Sequence, residues 1–261
     1  MKGSFKFLGT SGSVGVPVIG CNCLVCQSTS YFNKRLRPCS LIKVGDKQIL
    51  IDAGPDFYHQ AHKYSIKKLD GVIFTHAHYD HIAGLDDLRV FSFFSKQPLP
   101  LLVSRDTKEE ISRFFSYLFE KDVKQKFIFE ILESSQKQSF LNIPFKYCFY
   151  HQIGMKVTGY RFGDLSYITD IKIFDDSLFE LIEGSKTLII SSLEWNPTRA
   201  HLGLYEVEAI AKKAKVERCI VTHIGHELDH KKTNEKLPDF MELAYDGMSV
   251  DFEMFPSEDV R

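Results

Sequence analysis

Three histidines and an aspartate fall within six residues at His76-Ala77-His78-Tyr79-Asp80-His81, directly after the apolar run Gly71-Val72-Ile73-Phe74-Thr75. Side chains alternate along a strand, so extended backbone here points His76 and His78 the same way. Imidazoles and a carboxylate converging at a strand end suit a borderline divalent cation, and Asp80 and His81 are free to reach a second one. One histidine after a strand is ordinarily a solvated turn; this density of ligand types reverses that reading. A second cluster, Cys21-x-Cys23-x-x-Cys26, places three soft ligands in a loop after Gly20. These cysteines are too close together for conventional pairing with one another and have the spacing of structural-zinc thiolates, which require a fourth ligand.

Other polar residues end strand-like runs. Asp52 follows Leu50-Ile51, His151 follows the run at 147–150, Asp170 follows 165–169, and His223 follows 219–222, with His226 three residues further on. Taken singly, His151 or His223 reads as a satisfied structural histidine. Cys39, Cys148 and Cys219 sit in or beside apolar runs and read as small core hydrophobes.

The elements that must position these residues alternate along the chain. Strands are expected at 5–8, 41–44, 48–51, 71–75, 101–104, 145–150, 156–162, 166–169, 187–191 and 218–222, and turns at 44–47 and 160–166. Helices are expected at 56–65, 84–94, 107–120, 174–183, 204–215 and 234–245. The runs Val72-Ile73-Phe74 and Leu188-Ile189-Ile190 read as interior strands. No Pro/Gly/Ser-rich linker divides the sequence, so one domain over 1–261 is expected, with a zinc-binding loop at about 20–27.

Composition narrows the function. The 33 basic and 34 acidic residues nearly cancel, which weighs against general nucleic-acid binding or attraction to an anionic membrane. Neither an apolar membrane span nor a signal-peptide core is visible, and six cysteines in 261 residues are too sparse for a disulfide framework, so a cytoplasmic setting is expected.

The motif HxHxDH resembles the metallo-β-lactamase superfamily, and the remaining segments follow that superfamily's order. The resemblance implies an α+β fold, the four-layer αββα sandwich, with ligands in loops along one edge. It implies that His76, His78 and His151 hold one metal, that Asp80, His81 and His223 hold the other, that Asp170 bridges them, and that Asp52 supports a ligand from behind. The Cys21, Cys23, Cys26 cluster with His226 resembles the PhnP cyclic phosphodiesterase branch, in which a Cys3His zinc supplements the dinuclear centre. The resemblance then implies three metals: a catalytic pair of Mn or Zn, with Fe as a further option, and one structural Zn.

The same branch is matched by Leu8-Gly9-Thr10-Ser11-Gly12-Ser13-x-Gly15-x-Pro17 and by His201-Leu202-Gly203-Leu204-Tyr205-Glu206. The first lacks the Gly-Lys-Ser/Thr ending of a P-loop and alone signifies a tight loop; beside metals, Thr10 and Ser11 are candidate phosphate contacts. His201 is implied as the rim residue that protonates a leaving group. Gly203 and Gly225 depart from the branch, which often carries Ser there.

The implied activity is hydrolysis of phosphodiesters, above all small cyclic phosphates such as 5-phosphoribosyl 1,2-cyclic phosphate or 2′,3′-cyclic nucleotides, by water activated between two metals, with Asp80 and His201 as catalytic residues. A homodimer and a small phosphorylated substrate are implied as partners. The alternatives are a tRNA 3′-processing endonuclease and, from another class, a non-hydrolytic carrier like the PQQ-biosynthesis relative. Among the remaining candidates, His59 and His62 read as a solvated helix face, Lys34-Arg35-Leu36-Arg37 as a charged loop, and Phe91-Ser92-Phe93-Phe94 as core or subunit interface. Asp229 and His230 are weaker candidates for a site entrance.

Overall fold

The computed structural model describes residues 1–120, 124–132 and 137–255. Its strands in chain order are β1 (Lys2–Gly9), β2 (Cys39–Val44), β3 (Lys47–Ile51), β4 (Gly71–Ile73), β5 (Leu99–Val103), β6 (Phe127–Ile131) and β7 (Lys137–Phe140). They continue with β8 (Ile143–Gln152), β9 (Met155–Phe162), β10 (Leu165–Ile168), β11 (Thr187–Ser191), β12 (Arg218–Thr222), β13 (Met241–Leu243) and β14 (Ser249–Glu253). The α-helices are α1 (Leu24–Gln27), α2 (Phe57–Lys63), α3 (Tyr79–Ile82), α4 (Leu85–Ser95), α5 (Arg105–Phe114), α6 (Ser177–Ile182), α7 (Leu204–Ala214) and α8 (His230–Asn234).

Two sheets form, in the spatial orders β14-β1-β2-β3-β4-β5-β6 and β13-β12-β11-β10-β9-β8-β7. Each has an antiparallel half and a parallel half, the latter running from β3 to β6 and from β10 to β13. Period-2 alternation sorts the apolar residues of the parallel strands into three layers. Ile49, Ile51, Ile73, Ile189 and Ile220 face the space between the sheets, where they meet Phe5, Phe7, Phe145, Tyr160 and Tyr167. Their sequence neighbours Leu50 and Val72 point outward against Phe57 of α2 and Leu85 and Leu88 of α4. On the other side Leu188, Ile190 and Val221 meet Leu178 and Leu181 of α6 and Leu204, Val207 and Ala211 of α7. This is the expected αββα sandwich. Among the described residues, no helix is long and apolar enough to cross a membrane.

The expected helix at 234–245 does not form. α8 ends at Asn234, Pro238 supplies no backbone N–H, and Met241–Leu243 instead joins the second sheet as β13, parallel to β12. Strand β14, absent from the sequence reading, pairs antiparallel with β1 and buries Val250 and Phe252. Helix α5 is shorter than expected: Ser104 caps its start by accepting from Thr107 N–H, and it ends at Phe114 before a 3-10 turn at Ser116–Leu118.

Candidate metal centre

The parallel strands end along one edge, and the ligand-type residues follow those ends. Asp52 follows β3, His76 lies just beyond β4, Asp170 just beyond β10, and His223 follows β12. Asp52, Asp170 and His223 all adopt left-handed backbone, with φ of 59°, 52° and 58°. Each such conformation costs a non-glycine residue on the order of 1–2 kcal/mol, a strain sustained here by the surrounding packing.

Asp52 organises the cluster from behind. Its carboxylate is buried and accepts from Thr75 N–H and Thr75 Oγ1, each at 2.8 Å, and from His81 Nδ1 at 2.7 Å. That last bond places the His81 proton on Nδ1 and turns the lone pair of Nε2 toward the centre. Thr75 Oγ1 donates to Asp52 and therefore accepts from His76 Nδ1 at 2.9 Å, which leaves the His76 Nε2 lone pair 2.8 Å from His78 Nδ1. His76, His78 and Asp170 form one group of converging ligand atoms, and Asp80, His81 and His223 form another. Asp170 serves both: its oxygens lie 3.1 Å from His81 Nε2 and 3.3 Å from His223 Nε2. Asp80 Oδ2 lies 3.4 Å from each of the same two nitrogens.

This donor set fits a pair of divalent cations. His81 Nε2 and both ring nitrogens of His223 are buried without a hydrogen-bond partner among the described residues. Lone pairs of imidazole facing carboxylate oxygens require a proton or a cation between them. Burial works to lower the pKa of His81 and of His223, but the Asp80 and Asp170 carboxylates outweigh it and raise both. Burial favours the neutral forms of Asp80 and Asp170 as well; the neighbouring His81 and His223 outweigh it and hold both acids low. His76, by contrast, is driven well below its ordinary value by burial and by the nearby His81.

His151 does not join this centre. β8 runs on to Gln152, so His151 lies within the strand, paired with Lys156 and exposed, while alternation turns Gln152 inward beside Tyr150. Gln152 Nε2 donates to Asp170 Oδ1 at 3.1 Å and lies 3.0 Å from His201 Nε2. Carrying β8 two residues further with the same alternation identifies Gln152 from sequence. His201, only 8% exposed, stacks on His223 with ring centroids 5.0 Å apart. Burial and the neighbouring His223 pull its pKa down to about 4, so it is neutral near pH 7.

Cys21, Cys23, Cys26 and His226 converge as expected. The three sulfurs lie 3.2, 3.6 and 3.5 Å from His226 Nδ1. A tetrahedral zinc with bonds of about 2.3 Å to sulfur and 2.0 Å to nitrogen sets that edge at about 3.5 Å. Glu227 Oε1, 2.9 Å from His226 Nε2, turns Nδ1 toward the sulfurs. Backbone N–H groups of Cys23, Cys26 and Val18 donate to Cys21, Cys23 and Cys26 sulfurs respectively. The bond from Cys26 N–H lowers the Cys23 thiol to about 6, while burial pushes Cys26 up to about 11, an uneven sharing of protons that a cation would end.

Several expected contacts are internal instead. Thr10 Oγ1 is fully buried, donates to Asp246 Oδ1 at 2.7 Å and accepts from Arg35. Ser11 Oγ donates to backbone carbonyls, and the N–H groups of Ser11 and Gly12 bond Leu36 and Ile224 carbonyls. Neither Thr10 nor Ser11 therefore presents its hydroxyl to a substrate. The basic run at 34–37 is not a loose charged loop: Arg35 is buried against the Ala244 carbonyl and His230, and Arg37 grips Asp56 with two nitrogens. Asp229 caps α8 and bonds Asn33, while His230 stacks on Phe32, so both are structural. His59 and His62 lie exposed on α2, outside the ligand groups found among the described residues. Gly203 and Gly225 have no room for a serine: a Cβ would lie 2.5 Å from the Asn196 carbonyl carbon at Gly203, and 2.7 Å from the Leu193 carbonyl oxygen at Gly225.

A two-sheet sandwich with clusters of ligand-type residues along one edge defines a metal-binding class of fold, and the comparisons agree. Residues 47–224 match the family model described as a β-lactamase superfamily domain. A solved diphosphatase of the PhnP family is 34% identical, with a TM-score of 0.91, over 97% of this chain and 98% of that one. The chain belongs to the β-lactamase superfamily and, within it, to the PhnP family. An octanoyltransferase of Porphyromonas gingivalis is 29% identical over 93% of this chain but only 50% of its own length, so the chain spans about half of that curated relative. Zn-bound PqqB from Methylobacterium extorquens shares the fold at 18% identity and a TM-score of 0.76, over 95% of this chain and 100% of that one.

Proposed function

We propose that this metallo-β-lactamase-fold hydrolase is a dinuclear metal-dependent phosphodiesterase acting on small cyclic phosphates. The observation that carries the reading is the convergence of His76, His78, Asp80, His81, Asp170 and His223 on two adjoining positions. A carrier has no need for a ligand set of this extent, which favours catalysis over a non-hydrolytic binding role. The internal engagement of Arg35 and Arg37 removes two candidate anchors for a polynucleotide and favours a small substrate over precursor tRNA.

Two divalent cations bound here would supply Lewis acidity to a phosphoryl oxygen and water acidic enough to ionise near neutral pH. Asp52 and Thr75 fix the tautomers of His81 and His76, so that Nε2 of each faces the centre without rearrangement. Asp170 holds the two positions together. Asp80 adds a second carboxylate to the His81 and His223 position, balancing positive charge there. His201 is neutral near pH 7 and serves as a hydrogen-bonding imidazole at the leaving oxygen, its ring oriented by Gln152 and its backbone N–H held by Thr198 Oγ1 at 2.9 Å.

The metals expected are Mn or Zn, with Fe admitted by the same donors, plus one structural Zn on the Cys3His cluster. A linear diphosphate is the second reading, favoured by the diphosphatase named above at 34% identity. The proposal includes a single domain, a cytoplasmic setting and a homodimer, the last consistent with the exposed rings of Tyr58, Phe93 and Phe94. Metal quantitation followed by assay on cyclic phosphodiesters, linear phosphodiesters and diphosphates tests the reading. Hydrolysis of cyclic phosphates that His78→Ala abolishes supports it, whereas activity unchanged in that variant overturns it.

A further inference from the structure

We propose that Gln152 is a metal ligand through its side-chain oxygen and completes the position held by His76, His78 and Asp170. The inference rests on the dinuclear reading above. Gln152 is 4% exposed, and its Oε1 is buried without a hydrogen-bond partner among the described residues. A buried carboxamide oxygen left unpaired costs roughly 1–3 kcal/mol. The other end of the same group is engaged: Nε2 donates to Asp170 Oδ1 at 3.1 Å, which fixes the carboxamide against the carboxylate shared by both metal positions.

Donor counting leads to the same residue. One position has Asp80, His81 and His223 together with Asp170, which makes two imidazoles and two carboxylates. Among the described residues the other has only His76, His78 and Asp170, because His151 is exposed. Gln152 supplies the missing fourth donor and gives both positions two nitrogens and two oxygens. Its oxygen is neutral and harder than an imidazole nitrogen, so the position it completes favours Mn2+ or Mg2+ relative to Zn2+ more than a third histidine would.

The test is metal binding rather than turnover. The full chain and its Gln152→Ala and Gln152→His variants are equilibrated with graded free Mn2+ or Zn2+, and bound metal per chain is counted by mass spectrometry. The Cys3His zinc serves as an internal reference. Gln152→Ala is expected to weaken one cation about tenfold or more while retaining the reference zinc. Gln152→His is expected to restore that cation and shift its preference toward Zn2+ by a similar factor. Wild-type affinity for both cations in Gln152→Ala, or an unchanged Mn2+/Zn2+ preference in Gln152→His, overturns the assignment. Should the alanine variant fail to fold, the preference of the histidine variant decides alone. A wild-type protein that hydrolyses no phosphate ester, yet loses one cation in Gln152→Ala, removes the functional reading and leaves this one standing.

Discussion

His223 and His226 stand three residues apart on one loop, yet their imidazoles serve different clusters: His223 Nε2 lies 3.3 Å from Asp170 Oδ1, and His226 Nδ1 lies 3.2 Å from Cys21 Sγ. The segment between them is pinned on both sides. Ile224 N–H donates to the Thr10 carbonyl at 2.8 Å, its carbonyl accepts from Gly12, and Gly225 N–H donates to Leu193 at 2.8 Å. The left-handed His223 backbone allows the reversal of direction that this arrangement needs. A cation held by the outer cluster would thus steady His223 in the inner one.

Breaking the outer cluster should therefore be felt in both. Cys23→Ser is expected to release one tightly held zinc and to lower the melting temperature. At roughly 3 °C per kcal/mol for a chain of this size, even ~2 kcal/mol of lost zinc stabilisation reads as a shift of about 6 °C. Metal counting alongside a thermal melt checks this, and a variant that keeps all its zinc and its melting point removes the cluster's structural role.

Asp52 offers a cleaner separation of support from ligation, because it touches His81 Nδ1 and Thr75 but is not itself among the converging ligand groups. Asp52→Asn keeps the size and loses the charge that holds the His81 tautomer. The expected loss is about 10–100-fold in affinity for a catalytic cation, with activity falling in parallel when metal is limiting. Competition with a chromophoric chelator measures the affinity directly; an unchanged value shows that the His81 orientation is set by packing alone.

Much of this centre is legible in the sequence, and the reason is local. His76, His78, Asp80 and His81 lie within six residues, so alternation and one short helix suffice to bring them together, and the Cys21, Cys23 and Cys26 spacing is equally self-contained. What depends on strand length or on distant partners is less visible. His151 and Gln152 are adjacent, and ending the strand at Tyr150 instead of Gln152 hides that His151 faces outward and Gln152 inward, since a single residue flips the face. Thr10 looks free beside its glycines, but Asp246, distant in sequence, takes its hydroxyl. The mistaken helix at 234–245 has the same origin: Leu237, Phe240, Leu243 and Ala244 fit an amphipathic pattern locally, whereas pairing with β12 decides the state of Met241–Leu243.

Cation loading should be sharply pH-dependent. The carboxylates of Asp80 and Asp170 raise His81 and His223 against the effect of burial, so in the cation-free protein protons occupy these sites at pH values where an ordinary histidine is already neutral. A cation must displace them, and affinity is therefore expected to fall as pH is lowered, beginning above the ordinary histidine value of about 6.5. Isothermal titration at several pH values in buffers of different ionisation enthalpy counts the protons released. Binding that releases none contradicts the picture.

His201 behaves in the opposite sense. Its pKa of about 4 makes it neutral throughout the range in which the enzyme is expected to work, so it contributes no titration step between pH 5 and 8. His201→Ala is expected to lower kcat by about 10²–10³-fold without moving the acidic limb of the pH–rate profile, which belongs to metal loading. A displaced limb in that variant would show that His201 works as a charged acid.

The glycine at 225 carries the last prediction. A Cβ there would meet the Leu193 carbonyl oxygen at 2.7 Å and a Glu227 carboxylate oxygen at 2.5 Å. The glutamate can swing away, but it is the partner that orients His226, and the Leu193 carbonyl accepts the Gly225 N–H and cannot retreat without losing that bond. Gly225→Ser is expected to destabilise the fold by about 1–3 kcal/mol through overpacking and to loosen the structural zinc at the same time. Chemical denaturation with and without a zinc chelator separates the two effects. Wild-type stability together with unchanged zinc retention would mean that the loop between the two metal clusters yields more easily than its contacts indicate.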